Sequence, residues 1–177
     1  MPAAIITASA SIIVAVLAFL LNQRGQLVQE QRRARLERIS SQLCDLYGPL
    51  HAWVEVNERI WEALRATHLP TEHDRRPDAD SPIWREWRDH ALLPANRKMR
   101  DLIVERADLL SETGVPEPLL TFCAHVSALE VTVKSSPPTY QRTLIRHPGS
   151  DYITHVRETF AALKAEQHRL LDSTTHS

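Results

Sequence analysis

The chain has 177 residues, a formal net charge of −1 and a hydrophobic fraction of 43%, of which little is aromatic. That length suits one ordinary domain, and the near-zero charge excludes a general nucleic-acid binder, which needs a basic footprint. Cys44 and Cys123 are the two cysteines of the sequence, too few for a disulfide framework or a cysteine-rich zinc site.

Residues 3–21, AAIITASASIIVAVLAFLL, form a stretch of 19 residues with no charge and no proline. As a helix it spans roughly 28 Å, close to the hydrocarbon thickness of a bilayer. A secretory signal would carry a basic start and a small-residue cleavage pattern. Met1-Pro2 has no charged side chain, and the run closes on Leu20-Leu21-Asn22-Gln23-Arg24. The stretch therefore predicts a retained transmembrane anchor within residues 1–21. No Lys or Arg precedes it, whereas Arg24, Arg32, Arg33, Arg35 and Arg38 follow in and just beyond a basic juxtamembrane segment, 22–35. The positive-inside rule then puts the N-terminus outside and the C-terminal body in the cytoplasm. Unpaired cysteines suit that reducing compartment. The same arginines are candidates for contact with anionic headgroups of the lipid bilayer. Ala4, Ala8, Ser11, Ala15 and Ala18 succeed one another at steps of four and three, giving a small-residue stripe for helix packing and homo-oligomerisation.

A second row begins beyond the basic segment. Leu36, Ile39, Leu43, Leu46, Leu50, Trp53, Asn57, Ile60 and Leu64 alternate steps of three and four, which predicts an apolar seam on one helix face. Asn57 is the polar member, a candidate for fixing register. Cys44 is adjacent to this seam, which predicts burial rather than reactivity. Gly48-Pro49 predicts a kink, since proline removes a helix hydrogen bond and crowds the preceding turn.

Residues 68–81 are rich in proline and charge and read as a loop, with Ser81-Pro82 as a helix start. Ile83, Trp84, Trp87, Ala91 and Leu92 give the next apolar face, and Pro94 predicts another interruption. Helices are then expected over about 95–110, 118–134 and 151–171, separated by Gly114-containing and Pro137-Pro138-containing connections. Gly25, Gly48, Gly114 and Gly149 all fall at expected breaks or junctions. No long stretch alternates with a period of two. The expected fold is all-α: a single N-terminal transmembrane helix, then a cytoplasmic four- or five-helix bundle over 36–171 with a kinked first long helix, and a polar tail at 172–177.

The sequence offers little chemistry. Nine histidines raise the question of a metal, but neither H-E-x-x-H nor a repeated Glu-x-x-His occurs. His51 with Glu55, Glu86 with His90 and His155 with Glu158 are isolated helix-surface pairs. His125, on a largely apolar helix, reads as a buried histidine satisfied by a neighbour. The acidic run around Asp78 and Asp80 lacks the glycine and terminal glutamate of a calcium loop. There is no G-x-S-x-G and no glycine-rich phosphate loop. No cofactor and no enzymatic activity are expected.

Several stretches look familiar in order along the chain: Leu46-Tyr47-Gly48-Pro49-Leu50, Leu93-Pro94-Ala95-Asn96-Arg97-Lys98-Met99, Ala107-Asp108-Leu109-Leu110, Leu120-Thr121-Phe122-Cys123-Ala124-His125-Val126 and Phe160-Ala161-Ala162-Leu163-Lys164-Ala165-Glu166-Gln167. They resemble a family of uncharacterised bacterial single-pass membrane proteins with an N-terminal membrane helix. The resemblance implies inner-membrane attachment and a helical body, and no mechanism. The expectation is a membrane-anchored helical interaction or scaffold protein that binds itself or an unknown membrane-associated protein partner, and no nucleic acid. The alternatives are a small oligomerising membrane effector in stress or phage defence, or a helical-bundle enzyme centred on His125.

Overall fold

A computed structural model of the chain describes residues 2–67, 82–134 and 149–175, with side chains described between residues 17 and 172 of those ranges. Among the described residues the regular elements are all helices and none is a strand. Its elements are α1 (Pro2–Gln42), α2 (Gly48–Thr67), α3 (Pro82–Trp87), α4 (Leu93–Glu105), α5 (Glu117–Lys134) and α6 (Asp151–Thr175). π-helical turns at Leu43–Tyr47 and Arg88–Leu92 join α1 to α2 and α3 to α4, so the described helices form about four rods.

The two π turns lie just before Pro49, where a kink is expected, and Pro94, where an interruption is expected. In an α-helix a proline ring clashes with the carbonyl four residues back. Here each turn just before the proline is widened by one residue, which moves that carbonyl aside and lets the helix continue. Gly48 N–H reaches back five residues to the Leu43 carbonyl, and Leu93 N–H does the same to that of Arg88. Gly48 is specific to the first turn, because a Cβ there would run into the Leu43 carbonyl oxygen. Gly25, expected at a break, lies inside α1.

The chain divides into two compact units, Met1–Ser40 with Gln167–Ser177, and Ser41–Glu166. In the first unit, side chains 17–35 are exposed, Arg33 pairs with Glu37 at 3.2 Å, and Gln167 Nε2 donates to Ser40 Oγ at 3.3 Å. Residues 3–16 are helical in backbone, but their side chains, and with them Ala4, Ala8, Ser11 and Ala15, lie outside the described residues. Among the described residues no helix is long and apolar enough to cross a membrane.

The second unit is built on one core. Leu46, Tyr47, Leu50 and Val54 meet Leu93, Met99 and Ile103 of α4, Leu119, Phe122 and Val126 of α5, and Tyr152, Ile153 and Val156 of α6. The α5 contribution follows directly from apolar spacing at three and four. Pro116 contributes the carbonyl that accepts from Leu119 and Leu120 N–H, while Glu117 places an acidic group in the first turn. α6 starts after Gly149, whose φ of 68° lies in the left-handed region that glycine enters without cost. α4 ends at Glu105, short of the expected residue 110, because Arg106 leaves the helical region at φ −114°, ψ 27°. A 3₁₀ turn, Ala107–Leu109, then lets the adjacent Leu109 and Leu110 both be buried.

Candidate functional site

The second unit contains a cavity of about 630 Å³ between α2, α3, α4, α5 and the start of α6. α2 contributes Asn57 and Trp61 to its wall, α4 contributes Asn96, α5 contributes His125 and Leu129, and α6 contributes Tyr152. The second π turn lies along it through Arg88 and Leu92. That size is in the range of small-molecule sites.

Three of the most buried polar side chains of the unit converge here. Asn57 and His125 are each 8% exposed and Tyr152 is 5% exposed. Asn57 Nδ2 donates to Asn96 Oδ1 at 3.2 Å, linking α2 to α4. The Tyr152 phenol is pushed up to about 12, first by burial and then by the Glu58 charge, against the lowering effect of a hydrogen bond with Asn57. Asn57 Nδ2 is thus engaged with Asn96, while its Oδ1 is buried and accepts no hydrogen bond. A buried acceptor without a partner is costly, on the order of 1–3 kcal/mol, so this amide is the unsettled point of the wall.

At one side of the cavity, Trp61 and Trp84 meet edge to face, with ring centres 5.6 Å apart and planes 70° apart. Arg65 lies 5.7 Å above the Trp61 ring. Arg88 holds Asp89 through two hydrogen bonds, at 2.8 and 3.2 Å, and this guanidinium keeps the Asp89 carboxyl below the ordinary aspartate range. At the base of the unit, Phe122 stacks on Tyr152 with 4.4 Å between centres, which fixes the phenol ring against α5.

Charged clamps hold the surrounding helices in place. Arg97 and Arg100 of α4 both reach Glu130 of α5. Burial works to raise the Glu130 carboxyl, and the hydrogen bonds from Arg100 and Arg97 outweigh it and hold it low. Arg157 of α6 bonds Glu55 of α2 at 2.6 Å, beside a His51–Phe160 stack. His155 Nε2 lies 3.7 Å from Oε1 of Glu112, in the segment before α5. Among the described residues no three His, Cys, Asp or Glu side chains come together in a way that could hold a metal.

The seam residues divide by burial. Leu43, Leu46, Leu50, Asn57 and Leu64 are buried, while Trp53 and Ile60 are half-buried and Val54, absent from the seam, is fully enclosed. Leu36 is half-buried and Ile39 buried in the first unit. The shift from Trp53 to Val54 is the drift of a true 3.6-residue helix against a strict heptad. Trp53 is not idle: the Lys98 ammonium sits 4.6 Å from its ring centre. Cys44 is exposed, correcting the expectation of burial; Cys123 is partly covered, and burial pushes its thiol up to about 11. Arg24, Arg32, Arg33, Arg35 and Arg38 are all exposed, and Ala18 is exposed with them. The acidic run at Asp78 and Asp80 lies outside the described residues, as do residues 135–148.

No family model matches the chain, and neither a curated protein nor a solved structure matches it. Sequence reasoning singled out Asn57 as polar within a seam and His125 as polar on an apolar helix. It missed Asn96, Tyr152 and Gln42. Gln42 Nε2 donates to the Leu109 carbonyl at 3.0 Å, a buried bond across 67 residues that caps the 3₁₀ turn. Its signal was faint: a polar residue next to the seam position Leu43.

Proposed function

We propose that this protein is a membrane-anchored helical binding protein, with residues 3–21 in the bilayer and the helical body acting by association rather than by catalysis. The observation that carries the reading is the character of α1. Its backbone is helical without interruption from Pro2 to Gln42. Leu17, Phe19, Leu20 and Leu21 are 54%, 63%, 48% and 69% exposed, and together they go around more than a full turn. Large apolar side chains exposed on every side of a helix call for an apolar surround. The uncharged sequence of residues 3–16 continues that character toward the N-terminus, and the arginines from Arg24 onward supply the flank that orients a span.

Alkaline carbonate extraction of cell membranes tests the anchor. The full chain should stay in the pellet, and a chain lacking residues 3–21 should move to the supernatant. Extraction of the full chain by carbonate overturns the reading. Crosslinking in native membranes tests the binding role, with a recurrent partner or a second copy as the expected product. A lone monomer under conditions that crosslink a known membrane dimer removes it.

A further inference from the structure

We propose that α5 pairs with α5 of a second copy of this chain, antiparallel and about a two-fold axis, through the face formed by Glu117, Leu120, Ala124, Ser127, Val131 and Lys134. This gives the association proposed above a partner and a surface, and it rests on that reading because one helix face is a small contact. Stable interfaces in free solution bury about 1,000 Å² or more in total. Anchorage of two copies in one bilayer raises their effective concentration, so that a smaller contact suffices.

Spacing and exposure define the face. Its six residues follow one another at steps of three, four, three, four and three, which keeps them on one side of the helix. Leu120 and Val131 are 47% and 67% exposed. Glu117, Ser127 and Lys134 are exposed as well, and Ala124 is half-buried. Between Glu117 and Glu130 the sequence holds no Asp, Glu, Lys or Arg, so the charged exterior usual on a surface helix is missing there. Glu130 itself is turned toward α4 by Arg97 and Arg100. The Ser127 hydroxyl donates to the Cys123 carbonyl at 3.0 Å within α5, so it is satisfied without water when covered.

The order of residues along the face identifies the occupant. The row has the same spacing from either end, with its midpoint between Ala124 and Ser127. An antiparallel copy centred on that midpoint sets Leu120 against the partner's Val131, Ala124 against the partner's Ser127 and Glu117 against the partner's Lys134. The two-fold axis then repeats each pair. Apolar meets apolar, and the smallest side chains meet in the middle, where they let the helix axes come close. Opposite charges close both ends. Those charges also suit the dipole of their own helix, acidic in the first turn and basic in the last. A parallel copy in register would instead set Glu117 and Lys134 each against its own kind, and like charges facing each other across an interface select against that arrangement.

The test uses two differently tagged full chains, each with Cys44→Ala and Cys123→Ala, one carrying Leu120→Cys and the other Val131→Cys. They are co-expressed, and native membranes are treated with a short bismaleimide that reaches about the 8–10 Å between packed helix axes. The mixed product should form. Either chain expressed alone should give at most about a tenth as much, because like positions lie roughly 16 Å apart along the antiparallel pair. Mixed product no greater than the like-position products overturns the proposal. A second measurement keeps both native cysteines and reads energy transfer between fluorescently tagged full chains in native membranes. Glu117→Lys should weaken pairing at least about threefold, and Glu117→Lys with Lys134→Glu should restore it. Circular dichroism of each purified variant checks that the helices are intact. Proximity that is undiminished by Glu117→Lys, or not restored by the double reversal, overturns the α5 interface. The association role then stands through another surface, and carbonate extraction reads the anchor separately.

Discussion

The two π turns solve the same problem with opposite materials. In each, the residue before a proline sends its N–H five residues back, to Leu43 in one turn and to Arg88 in the other. In the first, that residue is Gly48, and there is no room for a side chain against the Leu43 carbonyl. In the second it is Leu93, 2% exposed and part of the core. The first turn is therefore set by a close approach of backbone to backbone. The second is set by what its side chain fills. A proline-tolerant wide turn does not prescribe its neighbour; the surroundings do.

The sharpest break of this comparison is Leu93→Ala. It leaves a hole in the core and should cost about 3 kcal/mol in chemical denaturation, as other buried leucines do. Gly48→Ala adds one carbon where the carbonyl already sits, and should cost about 2 kcal/mol, the range for overpacking. If Gly48→Ala proves neutral, the first turn is not steric in origin and the two turns are alike. Pro49→Ala and Pro94→Ala should each change stability by less than about 1 kcal/mol, since the widened turns already absorb the ring. Hydrogen exchange of the Gly48 and Leu93 amides reads whether either turn reverts to α-helix once its proline is gone.

Acid gives a finer separation. The Asp89 carboxyl on the second turn is held low chiefly by its hydrogen bond from Arg88. A carboxyl held low in the folded state contributes stability that is present above the ordinary aspartate value, roughly 3.9, and lost as pH falls through the lower native value. The second turn should therefore exchange its amides faster as pH drops through that window, after correction for intrinsic exchange, and Asp89→Asn should flatten the response. The first turn carries Asp45, which makes no ion pair among the described residues, and should respond less. Equal acid sensitivity of both turns contradicts this assignment.

Much of the helical content was legible in the sequence, because apolar spacing at three and four on residues such as Leu119, Phe122 and Val126 is a local signal with one solution. The start of α6 after Gly149 was legible for the same kind of reason. The turns were not. Pro49 signals a kink and Pro94 an interruption to a local reading, and neither signal tells that the turn before it widens to π while Leu46, Tyr47 and Leu93 stay buried around it. Cys44 was misread through the same turn, since its place beside the seam says nothing about the face a widened turn gives it. At the candidate site, Asn57 and His125 stood out as polar residues in apolar settings, but their meeting with Asn96 and Tyr152 is a tertiary fact spread over about 95 positions of chain. Nothing in the spacing of those four residues announces it.

A widened turn is, in effect, one residue more than an α-helix would use, so it acts as a phase shifter for everything on its far side. Each residue turns a helix by about 100°. Closing Arg88–Leu92 to ordinary α-helix at unchanged length would swing Trp84 by about that angle relative to α4, away from the Trp61 ring it now meets edge to face, whereas removing one residue would nearly keep the phase. The aromatic side of the cavity is thus encoded as much by the width of one turn as by the identity of the residues that line it.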